Sequence, residues 1–241
     1  MHSLIASSKL FKLRLLASSL VLAIALGLGS AATASGSPTL QLASAAKPSA
    51  AAQSAITALG KLAVKGRAPK TGYARDLFSD GWGDQPGGCD SRNFILKRDL
   101  TRVTWRSGES CIVASGVLSD PYTGKKINFI RGVKTSLAVQ IDHVVAVSDA
   151  WQKGAQQATY AVRNKFYNDP LNLLAVDGPT NGSKSDSDAA SWLPPNKAYR
   201  CAYVARQVAV KLKYKLWVTT AEKAAIAGVL AKCPSQKLPF G

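Results

Sequence analysis

Histidine is almost absent from this 241-residue chain, in which only His2 and His143 are present. A zinc site built from several histidines is therefore excluded. No G-x-S-x-G nucleophile elbow accompanies His143, which argues against a serine hydrolase. The chain also lacks a G-x-x-x-x-G-K-[ST] phosphate loop, which excludes the P-loop nucleotide hydrolases. Any catalysis is expected to depend on a single imidazole.

Acidic residues are also scarce. The chain has 14 Asp and Glu against 31 Lys and Arg, which gives a net charge of +17. Such an excess of positive charge favours polyanionic partners, namely nucleic acid, anionic lipid or acidic cell-wall polymer. The charge alone does not choose among them, since some exported proteins are simply basic.

Long apolar runs are missing except near the start, where LLASSLVLAIALGLG occupies residues 15–29. Three basic residues precede this run, and an Ala-Thr-Ala cleavage pattern ending at Ala34 follows it. The run is short for a membrane span, which needs about 20 residues. We predict a signal peptide over residues 1–34 and a secreted protein without stable membrane insertion. The alternative is an uncleaved N-terminal anchor.

The rest of the chain divides by composition. Residues 35–52 are rich in Ala, Ser, Pro and Thr, which predicts a flexible linker. Alternating β-branched segments follow further along, and capped apolar segments near the C-terminus predict helices. This mixture predicts the α+β class. The expected division is a linker and N-terminal segment (35–69), one folded domain (70–234) and a C-terminal tail (235–241).

All four cysteines follow the predicted cleavage site. An even number of cysteines in an exported chain favours two disulfides. We favour Cys89–Cys111 and Cys201–Cys233, because each pair closes a local segment, while the other two pairings stay open. A zinc site built from four thiolates is the weaker alternative, because the chain has no C-x-x-C pair.

Polar residues recur at the ends of three apolar segments. Asp142 and His143 close the alternating segment SLAVQIDHVV, Asn172 lies in LNLLAVDG, and Asn181 opens NGSKSD. Two strands and a helix start carrying these residues would form a compact ββα unit able to hold one divalent ion. The oxygens of Asp142 and Asn181 suit Mg²⁺, with Mn²⁺ or Ca²⁺ as alternatives. His143 can take a proton from water near neutral pH, and Asn172 can orient its imidazole.

Three segments, IDHVVAVSDAW, NDPLNLLAVDGPTNGSK and WLPPNKAYRCAYVARQVAVK, resemble the secreted branch of HNH-type endonucleases. These enzymes are members of the His-Me finger (ββα-metal) superfamily. The resemblance covers residues 70–234 and implies a ββα-metal core with a strand-rich N-terminal extension and C-terminal helices. By position it implies Asp142 as a metal ligand and His143 as the general base. It likewise implies that Asn172 orients the base and that Asn181 is the second metal ligand.

The segment around the first cysteine departs in part from that branch. GGCDSRNFIL stands where the branch reads NGCDTRNDIL, so Gly87 and Phe94 replace polar residues. Arg92 and Asn93 match, and we predict that they contact substrate together with Lys184. A solvated surface charge is the alternative for Lys184.

These observations predict a secreted, monomeric, divalent-metal-dependent endonuclease acting on DNA, with RNA as a second candidate substrate. The first alternative is a non-enzymatic secreted protein that binds polyanions such as DNA or cell-wall polymer. A second is a phosphatase or lipid phosphodiesterase that uses the same metal centre. In simpler interpretations His143 is a structural histidine and the two asparagines are turn residues.

Overall fold

The structure is a computed structural model that describes residues 53–239, so the predicted signal peptide lies outside the described residues. The strands are β1 (Leu100–Trp105), β2 (Val113–Ser119), β3 (Lys126–Ile130), β4 (Val139–His143) and β5 (Leu173–Asp177). The helices are α1 (Ala55–Gly60), α2 (Ser91–Asp99), α3 (Val147–Gln152), α4 (Tyr160–Tyr167), α5 (Gly178–Lys184), α6 (Arg200–Lys213) and α7 (Thr220–Leu230). The α+β prediction is confirmed. No helix within residues 53–239 combines the length and the apolar character needed to cross a membrane.

The strands form two antiparallel sheets. One has the order β1-β2-β3, and the other pairs β4 with β5, so that His143 lies opposite Leu173. Helices α3 and α4 are inserted between β4 and β5, and α5 follows β5 directly. The result is a strand–strand–helix unit with His143 at the end of its first strand.

Strand β5 is the centre of the core. Leu173 and Ala175 pack with α2 and the three-stranded sheet, whereas Leu174 and Val176 pack with α1, α6 and α7. Successive side chains of a strand point to opposite faces, so both faces of β5 are buried. This explains the nearly continuous apolar sequence of this segment.

Helix α5 begins without a connecting loop. The Asp177 carboxylate accepts hydrogen bonds from the backbone N–H of Thr180 at 2.8 Å and from its hydroxyl at 2.6 Å, which caps the helix. Gly178 allows the close approach of a neighbouring chain segment, because a Cβ at this position would collide with the carbonyl oxygen of Leu137. The sharp turn places Asn181 one turn into the helix, close to β4.

The folded body extends beyond the predicted domain boundaries at both ends. Helix α1 packs against α6 and α7, although it lies in the predicted N-terminal segment 35–69. Ser54 forms a β-bridge with Lys237, and the N–H of Leu238 donates to the carbonyl of Gln53 at 2.9 Å. Residues from both predicted flanking segments therefore belong to the folded body.

Both predicted disulfides are confirmed. Cys89 bonds to Cys111, which joins the loop before α2 to the turn between β1 and β2. Cys201 bonds to Cys233, which joins α6 to the segment after α7. Among residues 53–239 no cysteine is free, so the four-thiolate zinc alternative is wrong.

A buried network of ion pairs joins the N-terminal segment to α3, α6 and α7. The Lys153 side chain is fully buried, and its Nζ lies 2.7 Å from Asp149, 2.7 Å from Asp188 and 2.6 Å from Glu222. Three cations balance three carboxylates in this network, which comprises Arg67, Asp149, Lys153, Asp188, Lys211 and Glu222.

Replacing Lys153 with methionine is expected to lower the free energy of unfolding by about 3–5 kcal/mol, because buried carboxylates lose a common partner. Urea denaturation measures the change. Lys70→Met is the matched control, since the Lys70–Asp186 pair is about half exposed and should contribute less than about 1 kcal/mol. Equal losses in the two variants would contradict the prediction.

Candidate active site

A cleft of about 360 Å³ opens where β4 ends. Three of the four predicted catalytic and metal-binding residues, Asp142, His143 and Asn181, line it together. The fourth, Asn172, is fully buried and does not line the cleft. The rest of the wall includes Lys70, Tyr73, Arg75, Ser148, Ser185 and Asp186.

The imidazole of His143 is held on several sides. Its Nε2 lies 2.8 Å from the carbonyl oxygen of Tyr167. A carbonyl only accepts hydrogen bonds, so Nε2 carries the proton and Nδ1 carries the lone pair. The indole of Trp82 stacks on the imidazole with 5.7 Å between centroids and 9° between planes, and the Tyr167 ring lies 4.4 Å away. Only 4 % of His143 is exposed.

The charge state of His143 follows from these surroundings. Burial, assisted by the nearby cationic side chains of Arg75 and Lys184, lowers its pKa to about 3 against the opposing effect of the Tyr167 hydrogen bond. The imidazole is therefore neutral at physiological pH. A neutral imidazole with a lone pair on Nδ1 can accept a proton.

Asn172 fixes the chain that follows His143. Its Oδ1 accepts from the N–H of Val145 at 2.8 Å, and its Nδ2 donates to the carbonyl of Val145 at 3.3 Å. The expected hydrogen bond from Asn172 to the imidazole is replaced by the contact with Tyr167. Asn172 therefore acts on the backbone beyond the histidine and not on its ring.

The Asp142 carboxylate lies between two buried side chains. Its Oδ1 accepts from Lys184 Nζ at 2.9 Å, and its Oδ2 accepts from the hydroxyl of Tyr122 at 2.5 Å. Burial and the neighbouring Asp142 raise the pKa of Tyr122 well above its usual value, so the hydroxyl remains a donor. Lys184 is 0 % exposed and also donates to the carbonyl of His143 at 2.9 Å. The prediction that Lys184 contacts substrate is therefore corrected, because its ammonium lies inside the protein and neutralises Asp142.

Asn181 lines the same cleft as this carboxylate. Its Nδ2 donates to Oε1 of Gln140 at 2.9 Å. No residue in the described part of the chain donates to its Oδ1. Asp142 and Asn181 are therefore two oxygen donors on one cleft.

These donors fit some metal ions and not others. Within residues 53–239 no three His, Cys, Asp or Glu side chains cluster closely enough to hold a metal, as a zinc site would require. Magnesium is usually bound through one or two carboxylates and completes its shell with water and phosphate oxygens. A carboxylate and an amide oxygen at the wall of an open cleft fit Mg²⁺.

The other two predicted substrate contacts are also corrected. Asn93 is buried, and its Oδ1 accepts from the N–H of Val113 at 3.1 Å and from Arg131 at 2.5 Å. Arg92 donates to the carbonyl of Val139 at 3.3 Å and does not line the cleft. Both residues bind neighbouring segments of the protein.

Two exposed cations that no motif of the sequence indicates lie on the cleft. Lys70 and Arg75 line its wall, and Arg75 lies over the Tyr167 ring at 5.1 Å. They belong to the basic, turn-rich segment KGRAPKTGYARDLF. A basic, turn-rich composition can indicate a phosphate-binding segment. Its position beside His143 follows only from the fold.

Comparison with known proteins identifies the family. Residues 90–229 match the family described as GmrSD restriction endonucleases, C-terminal domain. The chain belongs to this family. The GmrSD C-terminal match includes β4, β5 and α5, and with them Asp142, His143, Asn172 and Asn181. Lys70 and Arg75 precede it. The relationship is to nucleases, and it implies a nucleic acid substrate.

A relative supports the expected export. A protein of Arthroderma benhamiae, described as an uncharacterized secreted protein, is 38% identical over 184 residues. The aligned segment covers 76% of this chain and 86% of that protein. The prediction that this GmrSD C-terminal family member is secreted is confirmed.

Proposed function

We propose that the protein is an HNH-type endonuclease that hydrolyses phosphodiester bonds in DNA with the help of a divalent metal ion. RNA is a second candidate substrate. The observation that carries the proposal is the meeting of Asp142, His143 and Asn181 on one cleft of the β4-β5-α5 unit. This unit would correspond to the ββα-metal core.

His143 would act as the general base. Its Nε2–H is held by the Tyr167 carbonyl, so Nδ1 is the nitrogen left for a water molecule in the cleft. Because the imidazole is neutral, it can take a proton from that water as the water attacks phosphorus. Asn172 supports this geometry by fixing the backbone at Val145.

Asp142 and Asn181 would hold the metal ion. A bound Mg²⁺ supplies charge stabilisation for the phosphate and for the leaving oxygen. Lys184 and Tyr122 keep the Asp142 carboxylate in one orientation through their hydrogen bonds. Each carboxylate oxygen retains a second lone pair that these two donors do not use.

Lys70 and Arg75 would bind the phosphate backbone. Both are exposed on the cleft, where a phosphate next to the scissile bond would lie close to their charged groups. The net charge of +17, of which only three charges lie in the predicted signal peptide, would add long-range attraction without sequence preference. Binding of this kind weakens steeply as salt rises.

Plasmid DNA tests the proposal directly. The purified secreted protein is expected to convert supercoiled plasmid to nicked and linear forms with Mg²⁺ and to stop when EDTA is added. The assay should include Mn²⁺ and Ca²⁺ and several salt concentrations. No metal-dependent nicking under any of these conditions would overturn the proposal.

The high positive charge also favours a second candidate, a non-enzymatic binder of polyanions. It predicts DNA binding without cleavage and no effect of metal ions. A phosphatase or lipid phosphodiesterase with the same centre would cleave phosphomonoesters or phospholipids faster than plasmid. One panel of these substrates therefore separates all three candidates.

A further inference from the structure

The loop between Phe78 and α2 has no role in the mechanism above, although it contains most of the motif GGCDSRN. This loop, residues 79–90, lies against the histidine. Its Trp82 stacks on the His143 imidazole, and the same indole packs against Tyr167 with 5.5 Å between ring centroids. The loop therefore supplies one face of the pocket that holds the proposed base.

Asn168 anchors this loop. Its Oδ1 accepts from the N–H of Gly83 at 2.8 Å and from the hydroxyl of Ser91 at 2.9 Å. Its carbonyl accepts from Nε2 of Gln85 at 2.8 Å. Asn168 directly follows Tyr167, whose carbonyl holds His143, so one short segment fixes both the loop and the imidazole.

Gly83 makes the fit between loop and anchor close. A Cβ at this position would lie 3.1 Å from Nδ2 and 3.2 Å from Cγ of Asn168. A side chain here would force the loop or Asn168 to shift by a few tenths of an ångström. Gly83, the residue after Trp82, is therefore small at the point where the loop packs directly against Asn168.

The motif GGCDSRN fixes the C-terminal end of the loop. Cys89 is bonded to Cys111, and the Asp90 carboxylate accepts from the N–H of Asn93 at 2.6 Å, which caps α2. The side chain of Asn93 in turn binds Val113, two residues beyond Cys111. The motif therefore ties the loop to the start of β2.

We propose that Trp82 is a positioning residue for His143, and that the Cys89–Cys111 disulfide keeps it in place. This inference rests on the proposed nuclease function. An imidazole held by one hydrogen bond can still rotate about that contact. The parallel indole removes this freedom, so that Nδ1 keeps one direction. Breaking the disulfide frees the end of the loop and loosens the stack.

Replacing Trp82 with alanine is expected to lower kcat for DNA by about 10- to 100-fold, because a misplacement of about 1 Å can cost about 10²-fold. The KM should stay near the wild-type value, since the indole is not expected to bind phosphate. Trp82→Phe keeps a flat ring and should recover most of the rate. Recovery of the rate by Phe would separate positioning from general destabilisation, which thermal unfolding measures in parallel.

The two disulfides provide a matched comparison. Cys89→Ala with Cys111→Ala is expected to lower kcat, whereas Cys201→Ala with Cys233→Ala should lower thermal stability and leave kcat near wild type below the melting temperature. In the first double variant Trp82 is still present. Loss of its ring-current shift on the His143 protons would therefore show that the loop has moved.

Nitrogen NMR of His143 supplies a measurement that does not depend on cleavage. The mature protein should contain a single imidazole, with Nε2 protonated and one sharp set of ring signals in the wild type, and with broadened ring signals in Trp82→Ala, where the ring moves about its hydrogen bond to Tyr167. If the wild type does not cleave DNA, the proposed nuclease function fails, and this spectrum alone decides the role of Trp82.

Several results would overturn the inference. These are a folded Trp82→Ala variant with wild-type kcat and sharp, unshifted His143 ring signals, or equal losses of kcat from both disulfide deletions. If Trp82→Ala does not fold, the inference is tested with the double variant Cys89→Ala and Cys111→Ala. A wild-type kcat and an unchanged ring-current shift on the His143 protons in that variant would then overturn it.

Discussion

His143→Ala is expected to lower kcat for DNA hydrolysis by about 10²- to 10⁴-fold, the usual contribution of a general base. In the proposed mechanism the neutral imidazole takes the proton, and its hydrogen bond to the Tyr167 carbonyl fixes its orientation at the cleft. Affinity for DNA should change little, because phosphate binding is assigned to the exposed cations Lys70 and Arg75. Initial nicking rates and fluorescence anisotropy at one fixed salt concentration measure the two quantities.

Ser148→Ala is the matched control for this experiment. Ser148 lines the same cleft, so its replacement tests whether any small change in the wall reduces the rate. It should cleave at close to the wild-type rate, which would also argue against a serine nucleophile. Turnover retained by His143→Ala would remove the histidine as the base. Equal DNA binding with no cleavage by either variant or by the wild type would favour the polyanion binder.

The sequence predicts the site best where its residues are close together along the chain. Asp142 and His143 are neighbours at the end of a strand, and the apolar strand LLAVD follows Asn172 directly. Strand pairing and the short connection to α5 then bring Asn181 to the same cleft. The disulfides were predictable for the same reason, since each closes a short segment of chain.

The burial of individual polar side chains was not predictable in this way. Lys184 lies in a segment that carries the resemblance, and Arg92 and Asn93 match the branch around the first cysteine, which is why substrate contact is predicted for all three. The structure uses all three for internal hydrogen bonds. A buried lysine needs a carboxylate partner, and the sequence does not show that Asp142 and Lys184 face each other.

The sequence does not indicate the residues that reach the site from distant segments of the chain. Tyr122 reaches Asp142 from the turn after β2, and Trp82 reaches His143 from the loop before α2. Such pairs depend on how the two sheets and α2 pack. No pattern of sequence spacing encodes a contact between residues 82 and 143.

The proposed metal-binding residues Asp142 and Asn181 give the second prediction with a large effect. Asp142→Asn is expected to lower kcat by at least about 10²-fold, because a bound divalent ion contributes several kcal/mol to transition-state stabilisation. A second measurement does not need activity. Binding to the folded state raises the melting temperature, so Mg²⁺ should stabilise the wild type and fail to stabilise the variant. Asp186→Asn is the control, since Asp186 lines the same cleft but pairs with Lys70 at its exposed edge.

Asp142→Asn alone has a second effect that must be separated from metal loss. It removes the counter-charge of the fully buried Lys184, and breaking a buried pair costs about 3–5 kcal/mol of folding free energy. Asn181→Ala separates the two effects, because it leaves the Asp142–Lys184 pair intact and removes only the amide side chain. We expect this variant to fold with nearly wild-type stability, to lose most of the Mg²⁺-dependent rise in melting temperature, and to cleave DNA slowly. If Asn181→Ala retains the full Mg²⁺ response, Asn181 is not a ligand. If Asp142→Asn retains it as well, the metal binds elsewhere.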